Sequence, residues 1–126
     1  MNKKRVNELI VPAKKALLET GIVKDGKIEK TFRGQISSFG AAVVMGSLPA
    51  AVAFFIEKGG ASVERQKLIQ AIYYCITGKL VASDKLEDIL DYVCDNNTYE
   101  TREKFTDASI ALKLAMNFFD MGGDDD

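Results

Sequence analysis

The apolar residues recur every three or four positions along most of the chain, the spacing of one face of an α-helix. The first stripe predicts a helix from about Lys4 to Thr20 and consists of Val6, Leu9, Ile10, Ala13 and Leu17. Pro12 lies in its middle and removes one backbone donor, so we expect a kink or a restart there. Gly21 follows and can end the helix, because glycine readily adopts the left-handed conformation found after helix C-termini.

The segment from Ile22 to Glu29 lacks the helical pattern. It centres on Asp25-Gly26, a dipeptide typical of hairpin turns, with only two or three residues on either side. Because an isolated ribbon of that length is marginally stable, we expect a loop here.

Two helices are predicted across the centre of the chain. A stripe begins after Thr31 and consists of Phe32, Ile36, Phe39 and Val43. Gly46-Ser47 offers a stop followed by a new N-cap, and Pro49 fits a first helical turn. We therefore expect a short third helix from Leu48 to Lys58, ended by Gly59-Gly60.

Three more helices complete the prediction. Ser62 can cap a fourth helix that stops near Gly78, Ser83-Asp84 opens a fifth, and a sixth runs from about Thr98 to Phe119. No stretch shows sustained alternation of apolar and polar residues. We therefore predict an all-α fold, a compact bundle of about five to six helices.

The chain has 126 residues and 47% apolar content, enough for one domain with its own core. We assign residues 1–121 to a single helical-bundle domain. Residues 122–126 are expected to form an acidic disordered tail, because three aspartates follow two glycines there.

The 23 consecutive residues from Gly34 to Ile56 carry no charge and are long enough to span a bilayer. Two features favour a buried helix pair in a soluble protein. The run is interrupted at Gly46-Ser47, and its first half is amphipathic rather than apolar all round. A single membrane span is the less favoured alternative. The charged N-terminal segment does not resemble an export signal, so we expect a cytoplasmic protein.

The chain has no histidine, which excludes Ser-His-Asp and Cys-His catalysis and HExxH zinc sites. Cys75 and Cys94 form no CxxC motif and lie in apolar helical patterns, so we expect both to be buried and reduced. Carboxylates of the last two helices lie on predicted polar faces, where solvation is their usual role: Glu87, Asp88, Asp91, Glu100, Glu103 and Asp107. We expect neither an enzyme nor a cofactor or metal.

The net charge of -1 conceals an uneven distribution of charge. Residues 1–33 hold nine Lys and Arg against four Asp and Glu, whereas the remainder holds eight against fourteen. A basic N-terminal third favours a patch for a polyanion or an acidic partner, although a solvated surface explains the same pattern.

Six basic residues are candidates for contacts with a nucleic-acid backbone. The main candidates are Lys14, Arg33 and Lys58, and the weaker ones are Lys3, Lys30 and Lys113. Isolated lysines on apolar helices often only extend toward solvent, so for each residue alone a structural role is the simpler explanation.

Residues 32–59 read FRGQISSFGAAVVMGSLPAAVAFFIEKG. This segment resembles the core motif of the small subunit of type III-B (Cmr) CRISPR effector complexes. In that family an aromatic residue precedes a helix, a glycine-leucine turn follows, and the next helix ends in Ala-Phe, a hydrophobic residue and Lys-Gly. The matching features here are Phe32, Phe39-Gly40, Gly46-Ser47-Leu48, Ala53-Phe54-Phe55 and Lys58-Gly59.

The resemblance implies a non-catalytic helical subunit in antiviral defence. Such subunits stack head to tail, copy on copy, beside the backbone subunits that carry the guide RNA. The guide RNA and target RNA form a duplex that runs along the resulting basic groove, and base pairing supplies the sequence discrimination. The alternative is a purely structural helical adaptor that docks an acidic protein partner without contacting RNA.

Overall fold

The computed structural model describes residues 1–59 and 62–122. Within these ranges the chain forms six α-helices, one short 3-10 helix and three short strands. The α-helices are α1 (Lys3–Glu19), α2 (Lys30–Met45), α3 (Leu48–Ile56), α4 (Ser62–Thr77), α5 (Glu87–Asp95) and α6 (Tyr99–Ala115). The 3-10 helix is Met116–Phe118, and the strands are β1 (Val23–Lys24), β2 (Lys27–Glu29) and β3 (Asp120–Gly122). The predicted all-α bundle of five to six helices is confirmed.

Helix α1 continues through Pro12 without a restart. Its N-terminus is capped by Asn2, whose side chain accepts a hydrogen bond from the backbone N–H of Arg5. Gly21 follows the C-cap with a φ of +77°, a conformation that residues with a side chain rarely adopt. The predicted stop at this glycine is therefore confirmed.

The loop predicted between Ile22 and Glu29 is wrong, because these residues form the β1–β2 hairpin. Asp25 and Gly26 have φ values of +53° and +75°, as a tight hairpin turn requires at both central positions. A hairpin this short would be marginally stable alone, but a third strand stabilises it: β3, from residues 120–122, pairs parallel to β2. Ile28, opposite Met121, is buried in the core, so the ribbon is not isolated.

The predicted sixth helix is too long at its C-terminus. Helix α6 ends at Ala115, and the chain passes through the 3-10 helix into β3. Phe119, predicted to be helical, has extended backbone and precedes the strand. Residues 120–122 are thereby placed beside β2. Of the predicted acidic tail, Gly122 is the last residue of β3, and residues 123–126 lie outside the described ranges.

The uncharged central run forms two separate helices, as predicted. Ser47 caps α3 by accepting a hydrogen bond from the backbone N–H of Ala50 at 3.1 Å. Phe39 of α2 and Phe55 of α3 are both buried and meet edge to face, with ring centroids 5.2 Å apart. Among the described residues, no helix is long and apolar enough to cross a membrane.

Helix α5 starts later than predicted. Ser83 and Asp84 lie in a turn, and the N-cap position is occupied by Leu86, which makes no side-chain cap. Tight turns lead into the helix instead. The backbone N–H of Lys85 donates to the carbonyl of Ala82, and that of Asp88 donates to the carbonyl of Lys85. Ser62, the other predicted cap, is the first residue of α4, and its side chain lies outside the described part of the structure.

Helix α6 packs against α1, α2 and α4, so it occupies the centre of the bundle.

Cys75 of α4 is buried, and that burial raises the pKa of its thiol to about 12. Cys94 near the end of α5 is exposed, so the prediction that both thiols are buried is wrong for this one. Cys94 lies beside the apolar stripe of α5, whose residues Ile89 and Val93 are fully buried, and it therefore faces away from the core.

Asp107 on α6 is an exception to the predicted polar faces. Its side chain has no exposed surface and forms an ion pair with Arg5, Nη1 to Oδ2, at 2.9 Å. The backbone N–H of Asn2 also donates to this carboxylate. The start of α1 covers this face of α6, so the carboxylate contacts protein donors in place of water.

Candidate nucleic-acid interface

An open groove of about 550 Å³ lies between the first half of α2, the end of α6 and β3. Its lining residues are Lys30, Arg33, Gly34, Ser37, Lys113, Met116, Asn117, Phe119 and Met121. The three charged residues among them are all basic, and they include three of the six candidates from the sequence. We name this feature the basic groove.

Helix α2 begins at the basic groove without the usual compensation for a helix N-terminus. The N-cap Glu29 makes no side-chain cap, and the first turn contains no acidic residue. Unpaired backbone N–H groups give this end of a helix a partial positive charge. Lys30 and Arg33 add two full positive charges there. The acidic N-cap residue Glu29 offsets part of this positive charge, and the positive potential of the helix end is compatible with an anion in the groove.

Arg33 provides the most specific feature of the basic groove. Its Nη1 atom is buried and has no hydrogen-bond partner within the described structure. A buried donor without a partner costs about 1–3 kcal/mol. Guanidinium groups match the geometry of phosphate oxygens and bind them through two parallel hydrogen bonds. The guanidinium of Arg33 therefore contains an unused donor, and a turn of the side chain would bring this buried Nη1 to a phosphate in the groove.

Lys113 enters the groove from the last turn of α6. Its Nζ donates to the hydroxyl of Ser37 on α2 at 2.6 Å, which links the two helices across the groove. A cation is also favoured by the negative end of the α6 dipole. The ammonium thus has a structural role, and its other two N–H donors make no hydrogen bond within the described structure.

Lys14 borders the basic groove but does not line it. Its Nζ lies 4.6 Å from the centroid of the Phe118 ring, which is 62% exposed. Phe118 lies between Asn117 and Phe119, both of which line the groove. Lys3 lies eleven residues earlier on α1, about 16 Å along the helix. It is exposed at the start of α1 and is not brought to the groove.

Lys58 lies at a different surface, in a cavity of about 590 Å³. The charged residues that share this cavity are Glu57, Asp84, Lys85, Glu87 and Asp88. Four carboxylates outnumber two lysines there, so the local charge disfavours phosphate. The structure separates Lys58 from the three groove residues.

Two polar residues of the basic groove were missed by the sequence analysis. Ser37 was visible on the polar side of α2, but only its contact with Lys113 gives it a role. Asn117 was placed inside a long last helix, whereas it lies in the 3-10 helix beside the groove. Both residues become identifiable only when α2 and α6 are packed together.

In the ranges that the structure describes, no three Cys, Asp or Glu side chains lie close enough to hold a metal. Comparisons of the chain with models of known protein families, with curated proteins and with solved structures found no match.

Proposed function

We propose that this protein is the non-catalytic small subunit of a type III-B CRISPR ribonucleoprotein effector, in which the basic groove holds RNA backbone. The resemblance of residues 32–59 to the family motif supports this function. The basic groove supports it independently, because its described lining combines three basic residues and an arginine donor without a partner, with no acidic residue among the described lining residues.

In the proposed contact each groove residue has a distinct part. Arg33 donates two hydrogen bonds to one phosphate, while Lys30 and Lys113 act as point charges on neighbouring phosphates. Ser37 positions the Lys113 ammonium. None of these contacts reads a base, so the protein binds RNA without sequence preference and base pairing supplies the specificity.

The proposed partners are guide RNA, target RNA, the backbone subunits of the complex and further copies of this chain stacked head to tail. One subunit then needs only a few phosphate contacts, because repetition along the assembly multiplies weak sites. A cytoplasmic location and reduced thiols belong to the same proposal.

The test is the salt dependence of RNA binding by the isolated protein. If three cations neutralise about three phosphates, the logarithm of affinity should fall against the logarithm of salt with a slope of roughly 2 to 3. The double variant Arg33→Ala, Lys113→Ala should lower that slope by about 2.

The matched control is Lys58→Ala, Lys79→Ala, which removes the same amount of charge from exposed residues outside the groove. It should leave the slope unchanged. Equal losses in both double variants would mean that RNA responds only to net charge, and the proposed contact would be abandoned.

The alternative function is an adaptor that docks an acidic protein surface without RNA. The observation in its favour is the apolar part of the groove, where Met116, Phe119 and Met121 lie beside the cations. This combination of cations and apolar side chains also suits a protein surface that carries acidic and apolar residues. Nuclease treatment of the copurified assembly separates the two functions, since it should disrupt an RNA-dependent assembly and leave an adaptor complex intact.

A further inference from the structure

A second cavity lies between the β1–β2 hairpin, the start of α2 and the first turns of α4. Its volume is about 390 Å³, within the range of small-molecule sites. We name it the hairpin cavity. Its lining residues are Gly21, Ile22, Lys24, Lys27, Ile28, Glu29, Phe32, Val63, Glu64 and Lys67, none of which lines the basic groove.

One part of the wall of the hairpin cavity is apolar. Ile22, Ile28 and Phe32 are buried in the core and present part of their surface to it. Val63 on the first turn of α4 is 56% exposed, which is high for an aliphatic residue beside a concave surface. A flat ring could pack on the exposed side chain of Val63 and on the edge of Phe32, of which 5% is exposed.

The rim of the hairpin cavity carries three lysines. Lys24 and Lys27 are directly opposite each other in the β1–β2 register, an arrangement in which like charges destabilise a sheet. Lys67 joins them from α4. A carbon placed at the Cβ position of Gly21 would lie 3.7 Å from Lys24 Cε and 3.9 Å from Lys67 Nζ. Two of the lysine side chains therefore end over the same glycine.

None of these three lysines has an ion pair or hydrogen bond from its side chain within the described part of the chain. Three cations are thus gathered at one rim without a neutralising contact. An anion bound there would compensate for their mutual repulsion, and a phosphate group has enough acceptor oxygens for three ammonium groups.

Two carboxylates, Glu29 and Glu64, also line the hairpin cavity. They would repel a simple anion, so the ligand must offer hydrogen-bond donors as well as negative charge. A nucleoside monophosphate has all three parts: a phosphate, a flat apolar ring, and ribose hydroxyls that donate to carboxylates. We propose that the hairpin cavity binds a nucleoside monophosphate.

In this arrangement the phosphate contacts Lys24, Lys27 and Lys67, and the base lies against Phe32 and Val63. The ribose hydroxyls donate to Glu29 and Glu64. The proposal is independent of the proposed RNA groove, because it uses different residues on another surface. The nucleotide could be free or could be the phosphorylated end of an RNA, and the two sources share this chemistry.

The experiment is titration of the isotope-labelled protein with adenosine monophosphate, adenosine and inorganic phosphate, followed by NMR. Adenosine monophosphate should shift the amide signals of Ile28 and Val63, with adenosine and phosphate each binding at least about tenfold more weakly. Lys24→Gln, Lys67→Gln should weaken binding of the nucleotide about tenfold or more. These substitutions are at rim positions, and an unchanged unfolding curve would establish that they preserve the fold.

The groove variant Arg33→Ala, Lys113→Ala is the matched control and should bind the mononucleotide as the wild type does. No shift at the hairpin cavity up to about 10 mM nucleotide, corresponding to affinity weaker than the millimolar range, would overturn the proposal. Phosphate binding as tightly as the nucleotide would overturn it too, since the base would then contribute nothing.

Short RNAs with and without a 5′-phosphate distinguish the two sources. If the ligand is an RNA end, the phosphorylated RNA should displace the mononucleotide and the hydroxyl-ended RNA should not. If the ligand is free nucleotide, neither RNA should displace it from the hairpin cavity. Failure of RNA binding at the basic groove would leave the outcome of the mononucleotide titration unaffected.

Discussion

Arg5 and Asp107 join the first turns of α1 to the middle of α6 through an ion pair of 2.9 Å. The carboxylate is wholly buried, and the guanidinium is about a quarter exposed. The backbone N–H of Asn2 adds a further donor to the same carboxylate. The pair therefore fixes where the N-terminal helix lies on the central helix, and it uses one cation of the basic N-terminal third for structure.

Replacing Arg5 should destabilise the protein strongly. Arg5→Ala leaves the buried carboxylate of Asp107 without its charged partner, which typically costs about 3–5 kcal/mol. Unfolding in urea should show this loss, whereas Lys4→Ala at the exposed neighbouring position should stay within about 0.5 kcal/mol of the wild type. Equal midpoints for the two variants would contradict the structural role of the pair.

Lys58 should contribute nothing specific to RNA binding. Its cavity contains four carboxylates, so Lys58→Ala should change RNA affinity less than about twofold, whereas Arg33→Ala should reduce the salt slope by about 1. Filter binding or fluorescence anisotropy across a salt series measures both. A larger loss for Lys58→Ala than for Arg33→Ala would reverse our ranking of the two surfaces.

Replacing Ser47 and replacing Ser83 should have different effects on the stability of the fold. Ser47 accepts a hydrogen bond from the backbone of Ala50, so Ser47→Ala should lower the free energy of unfolding by about 1 kcal/mol. Ser83 lies in a turn before α5 and does not occupy its N-cap, so Ser83→Ala should have an effect near zero. Thermal unfolding compares the pair directly, and a similar loss at Ser83 would show a cap that the structure lacks.

The two cysteines should differ in reactivity. Cys94 is exposed and should be alkylated by iodoacetamide in the native protein, whereas Cys75 is buried and its thiol pKa is raised to about 12. Because the thiolate is the reactive form, Cys75 should react only after unfolding. Peptide mass spectrometry after brief labelling distinguishes the sites, with urea-unfolded protein as the control. Rapid native labelling of Cys75 would contradict its placement.

Burial of Cys75 also predicts a loss of stability in alkaline solution. Its pKa is about 12 in the folded protein against an ordinary value of 9.0, so the folded state retains the proton that the unfolded state releases. The resulting stabilisation is complete below about pH 9 and declines as the pH rises toward 12, by at most about 1.4 kcal/mol per pH unit.

The Cys75→Ala variant tests this contribution, because it removes the thiol while other titrating groups remain. Free energies of unfolding measured between pH 8 and about pH 11 should fall less steeply in the variant than in the wild type. Parallel curves would show that the thiol does not contribute.

The helices were predictable because their signals are local. The stripe from Phe32 to Val43, the break at Gly46-Ser47 and the positive φ at Gly21 all depend on nearby residues. The hairpin was not predictable in this way. Its third strand comes from residues 120–122, and a local pattern contains no information about pairing across ninety positions.

The candidate site was likewise predictable from the sequence only in part. The sequence identified six basic residues and placed Lys14, Arg33 and Lys58 first, but it could not show which of them share a surface. Packing of α2 against α6 brings Arg33 and Lys113 to one groove and leaves Lys58 among carboxylates. It also buries Asp107, which the helical pattern had assigned to solvent.

The sequence by itself determined the class of fold, the main helix stripes, the central break and the concentration of positive charge in the first third. These properties follow from periodicity and composition along the chain. Only the tertiary structure decided which charges are paired, which share a groove and which lysines surround the hairpin cavity. The reason is physical: the free energy of a charge depends on what surrounds it in space, and those neighbours come from distant parts of the chain.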